Sequence, residues 1–166
     1  MTDKEQNEVF KQWLGNYKAL LFKIVRAYAF TEEDRDDLFQ EISLQVWRSI
    51  PNFRNESAVT TWIYRIALNT ALRWKSKERK VITGSHELDH KVAIKTETPN
   101  ARIEWLYEQI SRLNEIDRSL CLLLLDDLSY KEMGDILGIS EGNVAVKIHR
   151  IKKYLTDQSK NINAVS

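Results

Sequence analysis

Residues 127–155 read DLSYKEMGDILGISEGNVAVKIHRIKKYL, and this stretch contains two signals for the start of a helix with one stop between them. Ser129 is followed three residues later by Glu132, the spacing of a capping box, which predicts a short helix that begins at Tyr130. Gly138 ends this helix, because glycine readily adopts the left-handed conformation that closes many helices.

A second helix is predicted directly after this stop. Ser140 is its N-cap, Ile139 fills the turn, and the helical pattern continues through Leu155. The apolar residues of this helix repeat at helical spacing and should pack on the first helix, against Met133, Ile136 and Leu137; they are Val144, Ile148, Ile151 and Leu155. Two helices joined by so tight a turn form a helix-turn-helix.

The opposite face of the second helix is polar and basic. It consists of Gly142, Val146, His149 and Lys153, flanked by Asn143, Lys147, Arg150 and Lys152. Residues 141–155 contain four basic side chains and one acid, on a helix whose N-terminus carries a partial positive charge. Such a helix suits the major groove of DNA. The alternative is a purely structural hairpin, but such a hairpin usually mixes both signs of charge.

Charge along the chain is segregated, although the 166 residues carry a net charge of only +1. Residues 32–41 contain six acids and one arginine, whereas residues 65–80 contain six basic residues and one acid. An acidic surface and a basic surface imply different partners. The hydrophobic content of 43% supports ordered cores, and five glycines with two prolines favour long helices, so the predicted fold class is all-α.

The chain contains one cysteine, Cys121, in the apolar run LCLLLL, so an intrachain disulfide is excluded and burial is expected. The N-terminal residues MTDKEQNE contain no apolar signal region, and no stretch reaches the length that crosses a bilayer. We therefore expect a soluble cytoplasmic protein without membrane insertion.

Two helices are predicted before residue 51. In the first, over residues 5–29, apolar residues recur every three or four positions. Thr31, with the acids that follow it, is a strong N-cap for the second, which runs to about Ile50 and stops at Pro51. The second helix is expected to bury Leu38, Phe39, Ile42 and Val46. The other side of this helix consists of Asp37, Gln40, Glu41, Leu44 and Arg48. It is either a solvated face or a docking surface.

A polar loop, NFRNES at residues 52–57, carries Phe53 as an anchor and precedes a third long helix over residues 60–80. The predicted core stripe of this region is Val59, Ile63, Ile66, Thr70 and Trp74, and a neighbouring stripe is Trp62, Arg65, Asn69 and Arg73. An aromatic ring with guanidinium groups on one face suits single-stranded nucleic acid, because bases stack on the ring while the cations contact phosphates. The alternative is that Trp62 belongs to the core and the arginines solvate it.

The segment between the third helix and the helix-turn-helix divides into two parts. Residues 81–98 lack sustained periodicity and are predicted to be a flexible linker. Thr98 is the predicted N-cap of a helix that begins at Pro99 and runs to about Leu113. Asn114 caps the next helix, whose apolar residues are Ile116, Leu120, Cys121, Leu123 and Leu124.

Residues 86–90 spell HELDH, which matches the H-E-x-x-H motif of zinc hydrolases. The motif lies in the predicted linker instead of an apolar helix, and the remaining histidine, His149, is on the basic helix, so we do not expect a metal site. The sequence also lacks a Gly-rich phosphate loop, a nucleophile elbow and a cysteine cluster. We therefore expect no catalytic residues, no cofactor and no enzymatic activity.

Two segments resemble conserved regions of bacterial sigma-70 family factors. DLFQEISLQVWRSIPNF followed by TTWIYRIALN is similar to region 2, and DRSLCLLLLDDLSYKEMGDILGISEGNVAVKIHRIKKYL is similar to region 4. With a short linker in place of a middle domain, the chain from about Val9 to Leu155 resembles the extracytoplasmic-function (ECF) subfamily. The resemblance implies a region 2 domain at residues 1–80, a linker at 81–98 and a region 4 domain at 99–166.

The resemblance also implies roles for individual residues. In the family, the DL-x-QE segment docks on the clamp helices of the polymerase beta-prime subunit, and here it supplies Asp37, Gln40 and Glu41; Leu44, on the same face, is expected to join this docking surface. The residues implied to hold the melted minus-10 element are Phe53, Arg54, Asn55, Glu56, Ser57, Trp62, Arg65 and Asn69, and Arg73 of the same stripe is expected to join them. Those implied to contact the minus-35 duplex are Tyr130, Lys131, Glu141, Asn143, Val146, Lys147, His149, Arg150 and Lys153.

Two positions depart from the family pattern. Trp62 is followed by Ile63, where primary sigma factors carry two adjacent tryptophans, so one stacking surface is lost. Ala145 and Val146 stand where many ECF relatives have lysine and serine. These apolar side chains can contact a thymine methyl group but cannot hydrogen-bond to the edge of a base.

The resemblance thus implies an initiation sigma factor that binds bacterial core RNA polymerase, through the beta-prime clamp helices and the beta flap, and promoter DNA. An anti-sigma factor stays open as a further partner. One alternative is a helix-turn-helix regulator that binds palindromic duplex as a dimer, with residues 1–80 as a sensor or dimerisation domain. The other is a zinc hydrolase that uses His86.

Overall fold

Every regular element in the computed structural model, which describes residues 1–81 and 100–165, is helical, so the predicted all-α class is confirmed. The chain forms two compact units, residues 1–104 and 105–166. The helices in order are α1 (Asp3–Tyr28), α2 (Glu32–Ser49), a single 3-10 turn (Ile50–Asn52), α3 (Val59–Val81), α4 (Ala101–Arg112), α5 (Glu115–Leu125), α6 (Tyr130–Leu137) and α7 (Glu141–Val165).

In the N-terminal unit, α1, α2 and α3 pack on one another around a shared apolar core. The Thr31 hydroxyl accepts a 3.0 Å hydrogen bond from the Asp34 backbone N–H, which confirms the predicted cap of α2. The predicted burial of Leu38, Ile42 and Val46 is also confirmed, whereas Phe39 is half-buried. The Phe39 ring stacks on Phe22 of α1, with 5.0 Å between the ring centroids.

Helix α1 differs from its prediction in two respects. It begins at Asp3, because Thr2 and Glu5 form a capping box ahead of the predicted start. It is also bent at Tyr17, whose backbone angles of φ −118° and ψ 16° are not helical. The prediction of a single uninterrupted helix over residues 5–29 is therefore corrected to two helical segments joined at a kink.

The core face of α3 is rotated relative to its prediction. Ile63 and Thr70 are buried as expected, but Val59, Ile66 and Trp74 are only half-buried. The residues that face the core are Ile63, Tyr64, Ala67, Leu68 and Ala71. Alanines at the centre of this face allow the neighbouring helices to approach closely, so side-chain size, and not only hydropathy, determines which face is buried.

In the C-terminal unit, the start of α5 is held by side-chain hydrogen bonds. The Asn114 side chain accepts a 2.9 Å bond from the Asp117 N–H, which confirms the predicted cap. The buried Arg118 guanidinium donates to the carbonyls of Ser111 at 2.8 Å and Leu113 at 3.1 Å. It thereby satisfies carbonyl groups at the end of α4 that have no partner within the helix.

The helix-turn-helix is formed by α6 and α7 as predicted. Ser129 and Glu132 make the capping box, and Gly138 ends α6 in the left-handed conformation with φ 72°. Gly134, which no sequence pattern singled out, is buried inside α6. A Cβ atom at this position would lie 2.6 Å from the carbonyl oxygen of Ile139, so the tight turn requires a glycine here.

Helix α7 packs on the unit through Val144, Ile148 and Ile151, which are buried as predicted, and through the half-buried Leu155. It does not end at Leu155 but continues to Val165, because residues 156–165 contain neither glycine nor proline. The greater part of the predicted linker, the HELDH motif, and the cap at Thr98 and Pro99 lie outside the described residues. Across the residues that are described, no helix is long and apolar enough to span a membrane.

Candidate nucleic-acid interface

The acidic surface of α2, defined by Asp37, Gln40, Glu41 and Leu44, is exposed as predicted. Leu44 exposes 41% of its surface within this polar group. The Asp37 carboxylate accepts a 2.9 Å hydrogen bond from the indole N–H of Trp74 on α3. The Glu41 carboxylate accepts a 3.2 Å bond from the Gln45 amide one turn later. Asp37 is therefore tied to α3, whereas Glu41 contacts its own helix.

An aromatic cluster connects α1, the loop before α3, and α3 itself. The Phe53 ring lies between two tryptophans, with 5.3 Å between the centroids of Phe53 and Trp13 and 5.4 Å between those of Phe53 and Trp62. The Trp62 indole N–H donates to the Ser49 hydroxyl at 3.1 Å. Trp62 is half-buried, so neither of the two sequence interpretations, core residue or open stacking surface, describes it completely.

The loop at residues 53–57 presents polar side chains on a backbone of defined shape. Arg54, Asn55 and Glu56 are exposed, whereas Phe53 and Ser57 are half-buried. Asn55 adopts the left-handed conformation with φ 58°, which asparagine tolerates better than most other residues. Phe53 anchors one end of the loop, as predicted, through its contacts with the two tryptophans.

A groove of about 500 Å³ opens between α2 and α3. It brings Asn69 and Arg73 of the predicted nucleic-acid stripe together with Arg48 of α2. Its other lining residues are Gln45, Ser49, Asn52, Ile66 and Leu72. Asn69 and Arg73 are exposed, and Arg65 is half-buried. Gln45 and Asn52 were not predicted as site residues, because no linear pattern shows that they line the same groove as Asn69.

The basic face of α7 is open along its length. Gly142, Asn143, Val146, His149, Arg150, Lys152 and Lys153 are exposed, and Lys147 is half-buried. The Ser140 hydroxyl accepts a 3.1 Å hydrogen bond from the Asn143 backbone N–H, so the predicted N-cap of α7 is confirmed. Glu141 is exposed at the start of α7, while Lys131 is exposed and Tyr130 half-buried at the start of α6.

Burial changes the pKa of ionisable groups in the C-terminal unit. Burial raises the pKa of the Cys121 thiol to about 11, so the thiol is protonated at neutral pH. Burial, together with the adjacent charge of Asp127, raises the pKa of Asp126 at the end of α5. Within the part of the chain that the structure describes, no group of three or more His, Cys, Asp or Glu side chains is arranged to hold a metal ion.

Comparison with known proteins identifies both units. Residues 13–81 match the family model of sigma-70 region 2, and residues 103–155 match that of sigma-70 region 4. The ECF RNA polymerase sigma-E factor of Haemophilus influenzae is 25% identical over 167 aligned residues, which cover 91% of this chain and 87% of that protein. RNA polymerase sigma factor YlaC of Bacillus subtilis is 27% identical over 136 residues, covering 75% of this chain and 79% of the relative.

Two solved structures share the fold at 18% sequence identity. The sigma factor RpoE in complex with the anti-sigma factor NepR, from Bartonella quintana, gives a TM-score of 0.75 over 92% of this chain and 98% of that one. CnrH in complex with the cytosolic domain of CnrY gives a TM-score of 0.69 over 93% of this chain and 90% of that one. Since region 2 and region 4 both match in the expected order, this chain belongs to the sigma-70 family, in its ECF subfamily, and is a sigma factor of transcription initiation.

Proposed function

We propose that the chain directs core RNA polymerase to promoters through separate surfaces that contact the polymerase, the melted strand and the duplex. The acidic surface of α2 docks on the clamp helices of the beta-prime subunit, and the C-terminal unit contacts the beta flap. The Trp62 face of α3 and the loop at 53–57 hold the melted minus-10 strand, while the basic face of α7 contacts the minus-35 duplex. In this proposal, residues 1–80 bind the clamp helices and the minus-10 strand, and residues 99–166 bind the beta flap and the minus-35 duplex. The protein acts in the cytoplasm and catalyses no reaction itself.

The observation that carries this proposal is that surfaces of opposite charge are exposed on different helices. The acidic surface of α2 combines two carboxylates with Leu44, an apolar side chain exposed to 41%. Such a mixture is typical of a protein interface, in which a buried apolar contact supplies affinity and surrounding charges select the partner. A basic protein surface is therefore a better partner for α2 than DNA is.

The Trp62 face is suited to an unpaired strand. Its ring is immobilised by Phe53 and Ser49, so little side-chain entropy is lost when a base stacks on its exposed part. Extruding a base from duplex costs a few kcal/mol, and stacking on an aromatic side chain returns about 1–3 kcal/mol per base. The groove beside Asn69 and Arg73 adds amide and guanidinium groups for bases and phosphates.

The basic face of α7 is suited to duplex DNA. Its cations lie on one side of a helix that is fixed to the unit by Val144, Ile148 and Ile151. The contact with the minus-10 strand and the contact with the minus-35 duplex should each have low affinity in isolation. Because both are tethered to the same polymerase, their effective concentration rises and they reinforce each other.

The proposal is tested with reconstituted holoenzyme and promoters selected from genomic DNA. Glu41→Ala should weaken assembly with core polymerase, and Glu8→Ala, which removes an exposed acid from α1, is its matched control. Asp37 is a poorer probe of docking because it also binds Trp74. Arg150→Ala should leave assembly intact and weaken promoter binding. If Glu41→Ala assembles as tightly as Glu8→Ala, the docking assignment is wrong.

A dimeric helix-turn-helix regulator is not favoured as an alternative. Such a protein needs an N-terminal unit for sensing or dimerisation, whereas residues 13–81 match sigma-70 region 2. It would also bind a palindromic duplex tightly without polymerase. We expect only weak binding of the isolated chain to promoter DNA, which a gel-shift titration with and without core polymerase can measure.

A further inference from the structure

One apolar side chain lies at the centre of the basic face of α7. Val146 exposes 50% of its surface, whereas the other valine of the helix start, Val144, is fully buried in the core. At helical spacing, its neighbours on the surface are Gly142, Asn143, His149 and Arg150, all of them exposed. Three of these four carry polar groups that can hydrogen-bond to a base or phosphate. The Val146 side chain cannot form a hydrogen bond to either, so it can contribute to recognition only through apolar contact.

The glycine one turn before Val146 is not required by the fold. A Cβ atom added to Gly142 would have no heavy atom within 4 Å, in contrast to the close contact at Gly134. Alanine at position 142 would therefore be accommodated, and it favours a helix more than glycine does. Gly142 has no side chain on the turn directly before Val146, which allows Val146 to come close to the floor of a groove.

We propose that Val146 selects a thymine in the minus-35 element through the 5-methyl group of that base. In the major groove the thymine methyl is the one apolar group that a base pair presents, and small aliphatic side chains contact it. The surrounding Asn143 and Arg150 would bind neighbouring base edges or phosphates and set the register of the helix. This inference rests on the proposed placement of α7 in the major groove.

The test changes two groups separately: the 5-methyl group of thymine is removed from the DNA, and the side chain of Val146 is shortened in the protein. In a synthetic promoter, each minus-35 thymine is replaced in turn by uracil, which lacks only the methyl group, and binding by the wild-type holoenzyme is measured. We expect one replacement to weaken binding about threefold to fivefold, the loss of one buried methyl group. With Val146→Ala holoenzyme, the difference between the thymine and uracil promoters should become smaller, because a direct contact appears in a double-mutant cycle as non-additive effects.

A second substrate pair distinguishes the methyl group from the rest of the base. At the sensitive position, 5-methylcytosine should bind more tightly than cytosine to the wild type, and this difference should be smaller in Val146→Ala. The variant is expected to fold, because Val146 is half-exposed and alanine is a good helix former. Sensitivity to uracil that is as large in Val146→Ala as in the wild type, or no sensitive thymine at all, overturns the inference.

The outcome for Arg150→Ala separates this inference from the proposed function. If Arg150→Ala weakens binding to the minus-35 element but no thymine is sensitive to uracil, α7 binds DNA and only the role of Val146 is wrong. If neither Arg150→Ala nor Val146→Ala changes binding that depends on the minus-35 element, the placement of α7 in the groove is itself wrong.

Discussion

The two helices proposed to contact DNA, α3 and α7, differ in how their exposed faces relate to the core. On α3, Trp62 is half-buried, hydrogen-bonded to Ser49 and packed on Phe53. On α7, the exposed residues lie opposite the buried stripe, so the side chains that would contact DNA are not those that hold the helix in place. Binding and stability therefore share residues on α3 and use different residues on α7.

This difference follows from what each helix is proposed to bind. An unpaired strand is mobile, and a rigid aromatic surface reduces the entropy lost when a base stacks on it. Duplex DNA is already ordered, so a helix that enters its groove needs side chains that are free to reach base edges and phosphates. Substitutions on α3 should change stability and promoter opening together, whereas substitutions on α7 should separate stability from DNA binding.

The largest effect is expected for Trp62→Ala. It removes a half-buried ring from between Phe53 and Ser49, and we expect it to lower the unfolding free energy of the N-terminal unit by about 2–4 kcal/mol. It should also reduce promoter opening by the holoenzyme, because the stacking surface is lost. Chemical denaturation of the full chain measures the first effect, and permanganate reactivity of unpaired thymines measures the second.

Trp62→Phe is the matched control for this substitution. It keeps a ring against Phe53 but removes the indole N–H that binds Ser49. We expect it to retain most of the stability and promoter opening that Trp62→Ala loses. If Trp62→Ala opened promoters as well as the wild type did, α3 would not hold the melted strand through Trp62. Binding and stability would then not share this residue on α3.

The next effect tests how α7 is positioned. Gly134→Ala places a Cβ atom 2.6 Å from the Ile139 carbonyl oxygen, which belongs to the turn before α7. The turn must shift to relieve this contact, and we expect the unfolding free energy of the C-terminal unit to fall by about 1–3 kcal/mol. Gly142→Ala is the control, since open space surrounds that position. Equal stability of the two variants, measured by thermal unfolding, would contradict the close packing of the turn.

The helix starts could be predicted because their signals are local. Ser129 with Glu132, Thr31 with Asp34, and Asn114 with Asp117 all form the expected caps within four residues of sequence. The basic face of α7 could be predicted for the same reason, since helical spacing alone separates its exposed side from its buried side. Its role in the minus-35 element remains a prediction.

The groove and the face of α3 could not be predicted in this way. Gln45 and Asn69 line the same groove although they come from different helices, and no periodicity relates them. On α3, the large apolar side chains Ile66 and Trp74 suggested the wrong core face, whereas the small Ala67 and Ala71 are the residues that are fully buried. Gly134 was missed because its neighbour across the turn is a backbone oxygen, which has no signature in the sequence.

A smaller effect on stability is expected from ionisation of the Cys121 thiol, which lies in the C-terminal unit. Burial raises the pKa of its thiol to about 11, so the folded state keeps the proton at pH values where the unfolded state has lost it. Stability should therefore be unaffected below about pH 8.5 and fall by roughly 1 kcal/mol per pH unit as pH rises from about 9 towards 11. In Cys121→Ala this component of the slope should be absent.

The same thiol reports opening of the C-terminal unit, because it is the one cysteine in the chain and is buried. At pH 8, its labelling by a disulfide reagent should require opening of that unit and should accelerate in Gly134→Ala. The labelling rate should not change in Trp62→Ala, which affects the N-terminal unit. Faster labelling in Trp62→Ala would show that the two units do not unfold independently.

The smallest effect concerns a single cation on the exposed face of α7. Lys153 lies far from the buried stripe, so Lys153→Ala should leave the unfolding temperature unchanged. Removal of one phosphate contact should reduce the slope of log binding constant against log salt by about 1. Because this contact carries no sequence information, the loss should be equal for matched and mismatched minus-35 elements. Holoenzyme binding measured across a salt series decides this, and a loss confined to the matched element would instead assign Lys153 to a base edge.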